Sequence, residues 1–296
     1  MWNKPWSMKE GFAIGFGLMV TGVVLQLSMG PVEWSLLSWP ANIIILAFFV
    51  LLAILMFALR SKAYALKFLA TMPCAVPALV LTSALTIVMG LTRQVPDGQP
   101  AADWLGITRM LSFWPFVLLY VYLTVILIQV TLVQLTHFKW RKLPSVVSHI
   151  GLLITLLTAT LGSADLQRLR MYTMKDELEW RAIDDRNQVV ELPLAIKLKQ
   201  FMMDTYDDGT PKRFASDIIV YTKDEEMLRF TVDVNKPAEV KGWKIYQYGY
   251  DTTKGAESDI SILELVRDPW LPSVYTGIYL MIAGAVLLLF TAQRRK

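Results

Sequence analysis

Two histidines carry most of the chemistry this sequence offers. His149 lies just inside the start of an apolar run, Val146–Gly162 (VVSHIGLLITLLTATLG), after which the chain turns polar for about a hundred residues. An ionisable side chain at membrane depth is costly and points to function. Neutral imidazole ligates metals and haem iron. On a helix its neighbours are Ser145, Val146, Leu152 and Leu153. Gly151, Thr155, Thr158 and Gly162 form a small-residue stripe suited to close helix packing. Two readings therefore stand: a hydrogen bond across a helix interface, or ligation. As a haem ligand His149 has no histidine at similar depth in another span, so its axial counterpart would come from another chain. His137 sits in Thr136-His137-Phe138-Lys139-Trp140-Arg141-Lys142, an aromatic and basic setting that suits a headgroup contact; a weak, transient ligand role is its other reading.

Other chemistries are absent. The sequence has no Walker loop, no GxGxxG after a strand, no HExxH and no GxSxG elbow. Cys74 is the single cysteine, which excludes an internal disulfide and any CxxC or CxxCH motif. The polar stretch holds no histidine, so a Ser-His-Asp site cannot form within it. Asp184-Asp185, Asp207-Asp208 and Lys223–Glu226 read as solvated turns. The chain does not read as a hydrolase.

The elements that must position His149 are membrane spans. Of 296 residues, 54% are hydrophobic and the mean hydropathy is +0.43, which demands a bilayer. Six runs reach the roughly 20 residues needed to cross about 30 Å of hydrocarbon: Gly11–Met29, Ala41–Leu59, Phe68–Leu91, Ser112–Leu135, Val146–Ser163 and Leu271–Ala292. Backbone hydrogen bonding in lipid makes them helices. Pro73 and Pro77 are expected to break the third. Arg60, Lys62 and Lys67 follow span two, Lys139, Arg141 and Lys142 follow span four, and Arg294, Arg295 and Lys296 close the sequence. The positive-inside rule then places both termini in the cytoplasm, at an inner (cytoplasmic) membrane, and the stretch from about Asp165 to Trp270 outside. Trp2, Trp6, Trp34, Trp39, Trp104, Trp114, Trp140 and Trp270 fall near span ends, where such rings favour the headgroup zone. The first span reads as a full-length anchor, not a cleaved signal peptide. The net charge of +4 follows from this topology and gives no reason to invoke nucleic acid.

Within the polar stretch the pattern alternates. Leu192–Phe201, Asp217–Thr222, Met227–Val234, Trp243–Tyr250 and Asp259–Val266 read as half-buried strands. Asp207-Asp208-Gly209-Thr210-Pro211, Asn235-Lys236-Pro237 and Lys241-Gly242 read as turns between them. Five or six strands make a small antiparallel β-sandwich or open barrel. The fold class is thus an α-helical polytopic membrane protein of about six transmembrane helices, with a β-rich extracytoplasmic domain inserted before the last helix. Its expected divisions are residues 1–164, a five-helix membrane domain; 165–270, the β-sandwich-like domain; and 271–296, the last helix with a basic tail.

Three segments in order carry a resemblance. Ser148-His149-Ile150-Gly151-Leu152-Leu153, then Asn235-Lys236-Pro237 with Gly242-Trp243-Lys244-Ile245-Tyr246-Gln247, then Arg267-Asp268-Pro269-Trp270 before a final glycine-containing span together resemble the ResB family (also called CcsB) of system II cytochrome c biogenesis. The resemblance covers residues from about Leu143 onward. It implies a membrane subunit that pairs with a CcsA-like protein, moves haem b outward and supports its attachment to apocytochrome c CxxCH thiols. It implies that His149 is an axial ligand of the haem iron, opposite a histidine of the partner chain. No residue here matches the tryptophan-rich motif that the partner family carries, so thioether chemistry belongs to the partner and this chain is at most co-catalytic. Six spans exceed the four usual in that family. Arg93 and Arg109, between spans three and four, are candidates for propionate or phosphate contacts. The alternative function is a membrane-anchored chaperone or scaffold for apocytochrome that does not bind haem, with Tyr246, Tyr248 and Tyr250 as an aromatic face for an extended peptide.

Overall fold

The expected apolar runs are helices in the computed structural model, which describes residues 2–95, 99–208, 210–224 and 226–293. Arg294, Arg295 and Lys296, whose charges help orient the chain, lie outside the described residues, as do Gly209 and Glu225 of the expected turns. The helices are α1 (Met8–Met29), α2 (Ala41–Ala58), a short α3 (Tyr64–Phe68), α4 (Met72–Leu91), α5 (Trp114–Thr136), α6 (Leu143–Gly162) and α7 (Leu271–Gln293). Six of them are long and apolar enough to cross a membrane. This is a multi-pass membrane protein.

The boundaries have local causes. Ser7 caps α1 and Glu10 answers it, with the Glu10 carboxylate accepting from Ser7 N at 2.8 Å and Ser7 Oγ at 2.7 Å, a reciprocal capping box. The third span begins at Met72 and not at Phe68. Thr71 is extended (φ −113, ψ 153) and Pro73 occupies the first turn, where the missing N–H costs nothing. Phe68 belongs to the separate α3. Pro77 lies inside α4, which runs through it unbroken. The expected break is therefore absent.

The chain divides into two compact units: residues 1–165 with 270–296, and residues 166–269. In the helical unit, Asp165 gathers three helix ends. Its carboxylate accepts from Trp39 N, Asn42 Nδ2 and Trp270 Nε1, each at 2.7 Å. Asn42 is fully buried and also donates to Leu161 O at 3.3 Å. The start of α2, the end of α6 and the start of α7 are thereby tied together. Farther along, Gln129 of α5 donates to Ala53 O of α2 at 2.8 Å. Two polar pins thus hold a helix whose remaining surface is almost wholly apolar. Interhelical hydrogen bonds suit that task in a lipid environment, which gives no hydrophobic drive for helix association.

The loop between α4 and α5 is built on one carboxylate. Asp103 Oδ1 accepts from the backbone N–H groups of Leu105, Gly106 and Ile107 (3.1, 2.6 and 2.9 Å), and Oδ2 from Thr108 N and Oγ1 (2.7 and 2.6 Å). Burial pushes its pKa up, but the Thr108 hydroxyl and these N–H groups outweigh it and hold the carboxyl well below the usual range. A depressed folded pKa stabilises above the unfolded value of about 3.9 and loses that stability as pH falls through the folded one. The loop is therefore expected to stay closed at neutral pH and to open only in strong acid. Asp103→Ala should speed amide exchange at residues 105–108 by about tenfold at pH 7, the worth of one charged hydrogen bond of about 1.5 kcal/mol. Unchanged exchange would show that the turn holds without its carboxylate.

The second unit is one eight-stranded antiparallel sheet. Its strands are β1 (Gln167–Met174), β2 (Leu178–Ile183), β3 (Val189–Thr205), β4 (Pro211–Thr222), β5 (Met227–Asp233), β6 (Ala238–Val240), β7 (Trp243–Tyr250) and β8 (Ile260–Arg267), in the order β5-β4-β3-β2-β1-β8-β7-β6. One side carries the core, including Met171, Ile196, Leu198, Val220, Ile245, Leu263 and Leu265, all fully buried. A polar strip runs through it: Ser216 Oγ donates to Ser261 Oγ (2.7 Å), which donates to Gln247 Oε1 (3.1 Å), while Gln247 Nε2 donates to Gly249 O (2.8 Å). Gln247 thus secures a bulge between residues 247 and 249. The bulge overturns the expected tyrosine face. Tyr246 pairs with Glu264, but Tyr250 pairs with the buried Ser261 and stacks on Phe201 with centroids 5.0 Å apart. Tyr248 instead lies under the Arg170 guanidinium at 4.7 Å.

Candidate functional site around His149

Close helix packing sets the rotation of α6. A Cβ on Gly151 would lie 2.6 Å from both Gly277 O and Met281 N of α7, and one on Gly277 would lie 2.7 Å from Gly151 O. The small-residue stripe is therefore the α6–α7 contact. His149 is two residues from Gly151, about 200° around the helix, and so points away from α7. On that other side α6 meets α5: Tyr120 Oη donates to Leu156 O at 3.0 Å, and Ser145 Oγ to Gln134 Oε1 at 3.4 Å. His149 stands about 9 Å along the helix from Leu143, half-buried.

The imidazole does not bond across to another helix. Its Nδ1 lies 2.6 Å from Ser145 O, one turn back on α6, and 3.3 Å from Ser145 Oγ. A carbonyl only accepts, so the proton belongs on Nδ1. In the neutral ring Nε2 then carries the lone pair, with no hydrogen-bond partner among the described residues. This is how metal-ligating histidines are prepared: one ring nitrogen donates to a carbonyl and the other faces the metal. One such nitrogen would suit an axial position of a haem iron. Among the described residues no group of three or more His, Cys, Asp or Glu side chains could hold a metal ion.

The other candidates lie elsewhere. His137 ends α5, exposed, with Nδ1 3.1 Å from Thr136 Oγ1. It shares no bond with His149. Beside it Phe138 and Trp140 pack edge to face, 5.6 Å apart, both exposed. Arg93 is exposed and Arg109 half-buried, the latter at a non-helical kink (φ −126, ψ 57) in the Asp103 loop. Neither forms a salt bridge or cation–π contact among the described residues. Cys74 is fully buried, with Sγ 2.9 Å from Tyr122 Oη, as expected of a packing residue.

Sequence reading did not anticipate Gln134 or the Asp165 collar. Asn42 was the available signal for the collar: an amide at the second position of an apolar run needs a partner. Gln134 had no such mark, because its role depends on α5 lying beside α6.

Part of the chain resembles known proteins. Residues 137–262 match the family described as ResB-like. Over 134 residues the chain is 33% identical to "Cytochrome c biogenesis protein CcsB" of Prochlorococcus marinus subsp. pastoris (strain CCMP1986 / NIES-2087 / MED4), covering 45% of this chain and 30% of that protein. Over 107 residues it is 32% identical to the protein of the same name from Prochlorococcus marinus strain MIT 9301, covering 36% of this chain and 24% of that one. The matched region thus spans less than a third of these relatives' length. Among solved structures, "Cytochrome c Heme Lyase CcmF" aligns over 83% of this chain and 45% of its own, with a TM-score of 0.35 and 14% identity.

Proposed function

We propose that this chain, whose residues 137–262 match the ResB-like family, is a membrane subunit of a system II cytochrome c synthetase. Haem b is its cargo. His149 supplies one axial ligand through Nε2, and a histidine of a CcsA-like partner supplies the other. The single observation that carries this reading is the 2.6 Å contact from Nδ1 to Ser145 O, which in the neutral ring turns the lone pair to Nε2. Bound haem brings a conjugated macrocycle with vinyl groups for thioether formation; this chain's residues hold and orient it and do not form the bond. The relatives' names, which place them in cytochrome c biogenesis, support the pathway.

The loop charges orient the assembly. Arg60, Lys62, Lys67, Lys139, Arg141 and Lys142 lie on the cytoplasmic side of the inner membrane, and the β domain lies outside. His149 is then in the cytoplasmic leaflet, suited to receiving haem from within. The β domain stands where apocytochrome c arrives. A scaffold role without haem loses its main support, since Tyr250 leaves the Tyr246 face.

The test is an absorbance spectrum of the chain purified alone and with its CcsA-like partner. A six-coordinate bis-histidine haem spectrum is expected only from the pair. The same spectrum from this chain alone would refute the shared site, because its one suitably placed histidine fills one axial position.

A further inference from the structure

We propose that Gln134 of α5 is a positioning residue for His149, acting through the Ser145 side chain. The inference rests on the reading of His149 as a haem ligand, but its geometry concerns this chain alone. The Nδ1–H of His149 points at Ser145 O, 2.6 Å away, and passes 3.3 Å from Ser145 Oγ. Because that proton is on the ring, the hydroxyl can only accept there. Its own hydrogen is then free to donate, and Gln134 Oε1 lies 3.4 Å away. Each donor meets an acceptor in one direction, from ring to Ser145 to α5. Reversing it would set the Nδ1 lone pair against a carbonyl oxygen at 2.6 Å, a repulsive contact.

The carbonyl bond alone ties the ring only to its own helix. Ser145 and Gln134 tie it to a second helix, so the direction of Nε2 is fixed relative to α5 as well. Among the described residues Gln134 is the one side chain from another helix that bonds to this pair. Partners of this kind, one bond removed from a ligand, set ring orientation and tautomer, and losing one typically costs 10–100-fold in metal affinity.

The experiment combines ring-nitrogen NMR of the full-length, ¹⁵N-histidine-labelled chain without haem with haem dissociation from the complex with its CcsA-like partner. In the unsubstituted chain, His149 is expected to show a protonated Nδ1 and a bare Nε2. Gln134→Leu should leave that proton on Nδ1, which still faces the Ser145 carbonyl, but free the ring from α5, broadening its nitrogen resonances and speeding haem loss by about 10–100-fold. Ser145→Ala, which removes only the hydroxyl, should do the same, and Ser145→Thr should restore both readings. Should Gln134→Leu fail to assemble, Ser145→Ala and its threonine rescue carry the same two measurements. A protonated Nε2 in the unsubstituted chain would overturn the proposal, as would Gln134→Leu or Ser145→Ala variants with unchanged ring-nitrogen line widths and haem retention. A chain with the expected tautomer and a ring mobility that rises in the Ser145 and Gln134 variants, but no haem when paired, would support the positioning role and refute the proposed function instead.

Discussion

A His149→Ala chain, produced with its CcsA-like partner, is expected to assemble and to lose most of its haem, and cytochrome c maturation is expected to fall with it. The substitution removes the one imidazole whose free nitrogen lies within the membrane helices. Assembly should survive, because the helix contacts run through other faces. Gly151 and Gly277 hold α6 to α7, while Tyr120 and Gln134 meet α6 from α5. The imidazole's own hydrogen bonds go to Ser145, a residue that keeps its bond to Gln134. The change should therefore separate ligation from folding. His137→Ala, at the exposed end of α5, should leave haem content unchanged. Optical spectra of purified complexes, normalised to protein, measure both. Equal haem loss in the two variants would remove the special place of His149.

The second large effect is structural. Gly151→Ala should destabilise the helical unit by driving the backbones of α6 and α7 apart. The added Cβ meets the Gly277 carbonyl oxygen and the Met281 nitrogen at 2.6 Å. Both are backbone atoms, so no side chain can swing away and α7 itself must retreat. Overpacking of this kind costs about 1–3 kcal/mol, which for a unit of this size lowers the unfolding midpoint by roughly 2–12 °C. Moving α7 also disturbs Trp270, which rests on Gly162 and donates to Asp165, so the tie to α2 should weaken in turn. Thermal unfolding in detergent compares this variant with Gly17→Ala, where an added Cβ meets nothing within 4 Å. Equal midpoints would show that α6 and α7 are not held by this contact.

Much of the architecture was legible in the sequence because lipid imposes simple rules. A run of about 20 apolar residues has few alternatives to a helix, and every expected span is one. The main boundary that moved, from Phe68 to Met72, follows from Pro73 taking a first-turn position. The β domain was harder to read. β1 alternates correctly, with Leu169, Met171 and Thr173 inward, but Arg168, Arg170 and Tyr172 between them resemble a charged linker after a span. β2 is interrupted by a register shift between Glu179 and Arg181, so its period never runs long enough to register. The same kind of shift in β7 turned Tyr250 inward. Local irregularity of one residue is invisible to a period-two pattern, and each instance reverses a face.

At the site, the sequence yielded the ligand candidate but not its preparation. Ser145 lies one turn from His149 on any helix, yet which of its atoms meets Nδ1 depends on rotamer. Gln134 enters only because α5 packs beside α6. The Asp165 collar joins Trp39, Asn42 and Trp270 across more than a hundred residues of chain, beyond the reach of spacing arguments. Its effect on the site is indirect: it fixes the far end of α6, and with it the register of the helix that carries His149.

Chemical rescue tests the central claim most directly. The His149→Gly chain, purified with its CcsA-like partner, is titrated with free imidazole while the haem spectrum is recorded. Little haem is expected without imidazole, with a return of the bis-imidazole spectrum as the small molecule fills the space and ligates the iron in place of Nε2. Haem retained by the glycine variant at the level of the unsubstituted complex would contradict that claim, because His149 would then hold nothing.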